Sequence, residues 1–493
     1  MAYTKRRNGN TGQHGEAELL TRIKETLGSP PDLVCHSVCP EKSAEPVLCL
    51  YLETMVNRST IDEYILTALR KSEFSEREPS GAGESAFVQE LPADLGAEEL
   101  ARRAADAMVK GYCVLIDPSG GVRLVRITAP KQRQVDTPVA EANIRGPNEG
   151  FSESIATNIG LVRKRIGTPQ LRFESMQIGR LTRTTVVMAY IEGVAPDELV
   201  REMRRRLKAI RTDSVLESAY IEEFIQDSAV SPFPTLLSTQ RPDVVAAHLL
   251  DGKAAVLVDG TGDALVAPVT FFELFNSPED YYQRADIATL IRWVRLLSFF
   301  IAVFVPSLYV AATTFHQEMI PGTLLLSLSA QREGVPLPAF GEVLLMEFVF
   351  EIIREAGIRM PRVAGQALSI IGAIVLGQAA VDAGLITAAI VIVVSVTGIA
   401  NFVVPAYSFG IAQRLLRFTF IILAGFMGLF GILCGTLLLI AHLASLKSFG
   451  VPYLSPMAPS YPADWRDVLV RVPRPQMGAR APRFVRNLKK KRR

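Results

Sequence analysis

Along the 493-residue chain the spacing of apolar positions changes character near Leu290. Before it, short apolar runs alternate with charged ones; after it, runs without formal charge dominate. Asp, Glu, Lys and Arg are absent from Leu296 to Gln317, from Val363 to Val381, from Ala383 to Gln413 and from Phe418 to Leu446. Each run can supply the roughly 20 apolar residues that a helix needs to cross a bilayer. Backbone polar groups in lipid must be satisfied internally, so the four runs read as spanning helices. Only 13 residues separate Glu318 from Arg332, an apolar stretch short for a crossing, and a re-entrant element is expected there. Pro306, Pro321 and Pro405 interrupt apolar runs and mark candidate broken helices.

The first half reads differently. Val47 to Val56 predicts a strand, Ile61 to Leu69 an amphipathic helix, and Ser72 to Gly96 a loop. Cys113 to Ile116 and Val122 to Ile127 flank Asp117-Pro118-Ser119-Gly120-Gly121, a hairpin signal. Tyr190-Ile191-Glu192-Gly193-Val194 ends a strand before a helix opened by Pro196-Asp197-Glu198, and Tyr51-Leu52-Glu53-Thr54-Met55 precedes a similar start at Ile61-Asp62-Glu63. The expected fold is therefore a soluble α/β part of two related subdomains, followed by an α-helical transmembrane domain with about four spans, a re-entrant element and an amphipathic helix. The expected divisions are a flexible 1–30, subdomains at 31–144 and 145–285, a membrane domain at 286–447 and a basic tail at 448–493.

Charge orients this plan. Lys and Arg number 53 against 50 Asp and Glu, so the net charge is only +3, but the tail ends in Lys489, Lys490, Lys491, Arg492 and Arg493. Arg284, Arg292 and Arg295 precede the first apolar run, and basic flanks mark the cytoplasmic face. Met1 to Gly15 has no apolar core of a signal peptide, so both termini are expected inside a multi-pass protein. The tail reads as a membrane-lipid contact, with no nucleic-acid partner.

Candidate chemistry is sparse. Cys35, Cys39, Cys49, Cys113 and Cys434 form no disulfide framework, and Cys35-His36 with Cys39 lacks a second pair to complete a metal site. Gly150-Phe151-Ser152-Glu153-Ser154 lacks the second glycine of a nucleophile elbow, and Asp259-Gly260-Thr261-Gly262-Asp263 fits a hairpin turn better than a phosphate loop. No enzyme, metal or cofactor is expected. Arg145-Gly146-Pro147-Asn148-Glu149-Gly150-Phe151 reads either as a linker leading into a helix or as a docking loop. Glu347, Glu351 and Glu355 recur every four residues on one helix face, with Glu342 on a neighbouring face. That stripe reads either as the wet side of an interfacial helix or as pore-lining acids that favour cations.

From about residue 140 to 472 the chain resembles the A subunit of GerA-family spore germinant receptors. The resemblance rests on Arg145-Gly146-Pro147 through Phe151-Ser152-Glu153-Ser154 with Thr157-Asn158, then Ser231-Pro232-Phe233-Pro234, Glu279-Asp280-Tyr281-Tyr282 and Thr314-Phe315-His316. Arg332-Glu333-Gly334-Val335-Pro336, Arg354-Glu355-Ala356-Gly357, Gly377-Gln378-Ala379-Ala380 and Ser448-Phe449-Gly450-Val451-Pro452-Tyr453 follow in order. It implies a spore inner-membrane protein of nutrient-triggered germination, working beside a transporter-like B subunit and a lipoprotein C subunit. It also implies a homo-oligomeric ring that acts as a nutrient-gated cation channel, with Glu347 and Glu351 lining or flanking the pathway. A non-conducting scaffold role, and the SpoVAF branch that amplifies ion release, are the alternatives.

Overall fold

The computed structural model describes residues 10–39, 46–70, 88–92, 95–118, 120–127, 141, 145–359, 377–460 and 465–476. Two compact units emerge, one comprising 1–226, 238–268 and 478–493, the other 227–237 and 269–477. Residues 227–237 and 269–285, expected in the second α/β subdomain, thus belong with the helices, as does the described part of the expected tail.

The first unit contains one plan twice. Its first copy runs α1 (Asn10–Leu27), β1 (Leu33–Val38), β2 (Val47–Leu52), helical turns from Arg58 to Arg70, β3 (Val88–Glu90), α2 (Ala97–Val109), β4 (Tyr112–Ile116) and β5 (Val122–Arg126). The second runs α3 (Ile155–Arg165), β6 (Leu171–Ile178), β7 (Thr184–Ile191), α4 (Asp197–Ala209), α5 (Ser218–Ile225), β8 (Leu237–Thr239), α6 (Pro242–Leu250), β9 (Ala254–Val258) and β10 (Ala264–Ala267). The sheets have the orders β1-β2-β4-β5-β3 and β6-β7-β9-β10-β8, the same topology, and among the described residues α5 is the element particular to the second copy. Matching turns close the second strands: Met55 N–H donates to Leu52 O at 3.0 Å, and Val194 N–H to Ile191 O at 3.1 Å. The strand expected from Val47 to Val56 therefore stops at Leu52, where this turn begins. The expected loop from Ser72 to Gly96 contains β3, which completes the sheet edge beside β5; 71–87 lies outside the described residues. The turn signals at 117–121 and at Asp259-Gly260 both join hairpins, with Ile116 opposite Val122 and Leu257 opposite Ala264.

The two copies meet through buried charge. Arg163 and Asp32, 1% and 5% exposed at their side chains, pair in fork geometry at 2.9 and 3.0 Å. Thr54 adds a hydroxyl donor to Asp32, and a Cβ on Gly160 would lie 3.0 Å from Thr54 O, so glycine permits the close approach of α3.

The second unit is built on α7 (Ala285–Thr314), α8 (Gly322–Arg332), α9 (Ala339–Arg359), α10 (Ala388–Phe402) and α11 (Tyr407–Ser445). Among the described residues, α7 and α11 are long and apolar enough to cross a membrane. They correspond to the first and fourth charge-free runs. The third run yields only the 15-residue α10 and the start of α11, and most of the second, Val363 to Val381, lies outside the described residues. Pro306 does not break α7, which continues through it to Thr314.

α11 is not a straight rod. At Gly428 the backbone has φ 59° and ψ −142°, a region open essentially to glycine alone. Phe409 and His442, about 50 Å apart along an unbroken helix, both lie about 6 Å from the Phe233 ring. A Cβ on Gly435 would come within 2.9 Å of Phe420 and Leu423. The chain therefore reverses at Gly428 into a helical hairpin with arms of about 21 and 17 residues, or about 31 and 25 Å.

Candidate functional site

The hairpin brings together residues that sequence spacing keeps far apart. At its closed end a Cβ on Gly428 would lie 2.9 Å from Phe315 Cβ, and His316 Nε2 accepts from the Leu429 N–H at 3.3 Å. The imidazole thus stands in for the carbonyl that the second arm lost when the helix broke. At its open end Phe233 packs among Phe271, Phe409, His442 and Tyr453, while Phe299 stacks on Phe409 at 5.2 Å. Ser231 Oγ and His442 Nε2 share a hydrogen bond of 2.9 Å, and Ser448 Oγ donates to Thr235 O at 2.6 Å.

Between α9 and the first arm of α11 lies the main charged site. Glu347 and Arg417 are 0% and 1% exposed at their side chains, with Arg417 Nε 3.2 Å from Glu347 Oε2. Arg417 Nη2 reaches Glu351 Oε1 at 3.0 Å, Arg414 Nη1 reaches Glu351 Oε2 at 3.2 Å, and Arg354 also pairs with Glu351. Two carboxylates and three guanidiniums thus share one locus. The four predicted acids do not form one wet face. Glu355 is 55% exposed and pairs with Arg359, whereas Glu342 is fully buried. Glu342 Oε2 accepts from Thr387 N–H at the start of α10, at 3.0 Å, and its other oxygen is 3.6 Å from Arg332. The stripe thus becomes an exposed pair at one end and internal counter-ions at the other.

The prolines divide. Pro321 sits at the N-terminus of α8 and Pro405 in the turn between α10 and α11, so both lie where helices begin or end. α8 has 11 residues, too short a helix to cross a bilayer, and none of them is buried. The break that sequence reasoning missed is Gly428. Its signals were the Gly425, Gly428, Gly431 and Gly435 series and a charge-free run too long for one crossing.

Basic residues read as flank markers are placed inside. Arg292 donates to Asp280 at 3.0 Å and to Asp467 at 3.1 Å, and Arg295 donates to Asp280 at 2.8 Å. All but Asp467 are buried, so Arg292 and Arg295 serve the fold rather than presenting free charge. The Tyr281 hydroxyl donates to Asp467 at 2.8 Å, and burial pushes the phenol well above its ordinary value. The turn-rich loop is likewise structural. Pro147 O accepts from the buried Arg241, Glu149 pairs with Lys164 and Arg165 of α3, and Phe151 N–H donates to Gln240 O. Gly146 has φ 133°, Gly150 is buried and Arg145 is exposed. Asn158 closes the loop, accepting from Ser152 N–H and donating to Ser152 O. In the first unit all four cysteines are free, with the Cys49 and Cys113 sulfurs 3.1 Å apart in the core. No metal-holding cluster occurs among the described residues.

A family model described as the Bacillus/Clostridium GerA spore germination protein matches residues 21–483. This chain belongs to the GerA family. It is 42% identical to spore germination protein KA of Bacillus subtilis (strain 168) over 93% of its length and 84% of that protein's. It is 39% identical to spore germination protein GerLA of Bacillus cereus over 93% of both chains. The crystal structure of the N-terminal domain of the A subunit of the Bacillus megaterium spore germinant receptor GerK3 matches 51% of this chain and 94% of that domain, at 35% identity and a TM-score of 0.38. The GerA stretches quoted from the sequence now have physical partners. Phe233 and Tyr453 share the aromatic cluster, His316 caps the reversed arm, Asp280 neutralises two buried arginines, and Asn158 holds the loop before α3. Gly377 packs against Val391, with Val391 Cγ1 3.6 Å from where its Cβ would stand.

Proposed function

We propose that this GerA protein is a membrane subunit of a spore germinant receptor, working with a transporter-like B subunit and a lipoprotein C subunit in the spore inner membrane. In this reading several copies assemble in a ring that passes monovalent cations when nutrient binds a partner. Nutrient shifts the ring toward its open form only through unequal affinity for the two forms.

The observation that carries the reading is the polarity of the helical unit. Phe426, Leu438 and Ile399 are 74%, 71% and 68% exposed, while Glu342, Glu347 and Arg417 are at most 1% exposed. Apolar side chains outward and charges inward suit a lipid solvent and are costly in water. Charged groups at membrane depth face a protein interior or an ion path. The protein performs no covalent chemistry in this account, and its termini face the cytoplasm.

The test is potassium flux from proteoliposomes holding the full chain, alone and with its B and C partners. Nutrient should trigger release, and Glu347→Gln with Glu351→Gln should change the ratio of cation to anion leakage. No flux with any partner combination refutes conduction. One observation favours a scaffold instead. The Glu347–Glu351 locus carries three guanidiniums against two carboxylates, so as folded it repels cations. A scaffold predicts assembly defects and unchanged ion release from the two neutralising substitutions.

A further inference from the structure

We propose that Glu347, with Glu351 one turn along its own helix and Gln413 one turn before Arg417, is a monovalent-cation site whose occupant in this state is the chain's own Arg417 guanidinium. The inference rests on the conduction reading above for its purpose but not for its geometry.

The two acids are unequally served. Glu351 has three guanidinium partners, from Arg354, Arg414 and Arg417. Among the described residues Glu347 has Arg417 alone, at 3.2 Å, and neither of its carboxylate oxygens makes a hydrogen bond. Gln413 lies one turn before Arg417 on the same helix face and is 1% exposed, and both its amide atoms lack hydrogen-bond partners among the described residues. Arg417 Nη1 and Nε are also without hydrogen bonds to the described residues. A purely structural ion pair would saturate such groups, because buried polar atoms left unpaired are costly. A carboxylate and a side-chain amide oxygen are hard ligands suited to an alkali cation. Arg417 fills the place with one charge of the same sign, on a tether. Separating α9 from the first arm of α11 withdraws that charge, and only a mobile cation can then keep Glu347 ionised inside the helices. Conduction and release of the Arg417 contact thereby become one event.

The experiment compares thermal unfolding of the full chain in lipid nanodiscs, in potassium chloride and in N-methylglucamine chloride at equal ionic strength. Wild type should show no difference, since its site is filled. Arg417→Gln should unfold roughly 3 °C or more higher in potassium, the scale for about a tenfold excess of cation over its dissociation constant. Arg417→Gln with Glu347→Gln removes both charges, so it should fold in either salt and lose the potassium response. An Arg417→Gln protein whose stability depends on pH but not on potassium overturns the proposal, since Glu347 then simply takes a proton. Failure to recover Arg417→Gln in either salt, with the double variant recovered in both, overturns it equally. A potassium response without flux in proteoliposomes leaves the site standing and removes conduction; flux without the response does the reverse.

Discussion

Replacing Gly428 by alanine adds one methyl group at the reversal of α11. Two costs follow. The backbone at φ 59° and ψ −142° excludes side chains, a strain of about 1–3 kcal/mol. The new Cβ would stand 2.9 Å from Phe315 Cβ and 3.0 Å from His316 Nε2, and relieving such overpacking costs about 1–3 kcal/mol more. Together they amount to a loss of about 2–6 kcal/mol, against a total stability on the order of 5–15 kcal/mol. The sign separates two architectures. In an unbroken helix, glycine to alanine would stabilise by about 1 kcal/mol. Unfolding of the detergent-purified chain, followed by near-ultraviolet circular dichroism, measures the difference. Spin labels at the exposed Leu415 and Leu438 give an independent reading. They should lie close together across the hairpin, whereas a straight helix sets them about 35 Å apart. A Gly428→Ala protein as stable as wild type, with the labels far apart, refutes the reversal.

Other consequences can be measured on the same protein. His316→Ala removes the acceptor for the Leu429 N–H and should cost about 1 kcal/mol in thermal unfolding, with partial recovery in His316→Gln. Asp32→Ala strands the buried Arg163 and should cost about 3–5 kcal/mol in urea unfolding; an unchanged midpoint would show that the two α/β copies do not depend on this pair. Glu222 is pushed up to about 7 by burial, helped by Glu217, Glu223 and Asp263. The folded chain therefore keeps a proton that the unfolded chain releases near its ordinary value of about 4.3. Its stabilising share is full below that value and is lost as pH rises through 7, so Glu222→Gln should flatten the decline in stability over that window. Glu202 works oppositely: Arg205 and Arg206 hold it down to about 2, and its share is present above about 4.3 and lost as pH falls toward 2.

Local order was legible in the chain. The hairpin at Asp117-Pro118 and the Asp-Gly turn at 259–260 appear where the turn residues stand, because such residues fix the backbone within a few positions. The repeated Tyr-x-Glu strand ends announced two copies of one plan, since each copy buries its own alternating strands. The long apolar runs announced α7 and the extent of α11 by length alone, but the single span expected from Phe418 to Leu446 is folded back on itself at Gly428. What the chain could not disclose is which face of each helix meets which neighbour. The Glu347, Glu351 and Glu355 period is the same whether the acids face water, a pore or an arginine. Contacts across 66 residues, from Arg417 to Glu351, decided it. Arg292 and Arg295 look like flanking charge in one dimension and become buried counter-ions only once Asp280 and Asp467 are brought to them. Gly428 is one glycine among several in its helix, and the positions of Phe315 and His316 turn it into a reversal. Periodicity records how polar each position is, whereas pairing depends on the distances that packing sets between segments.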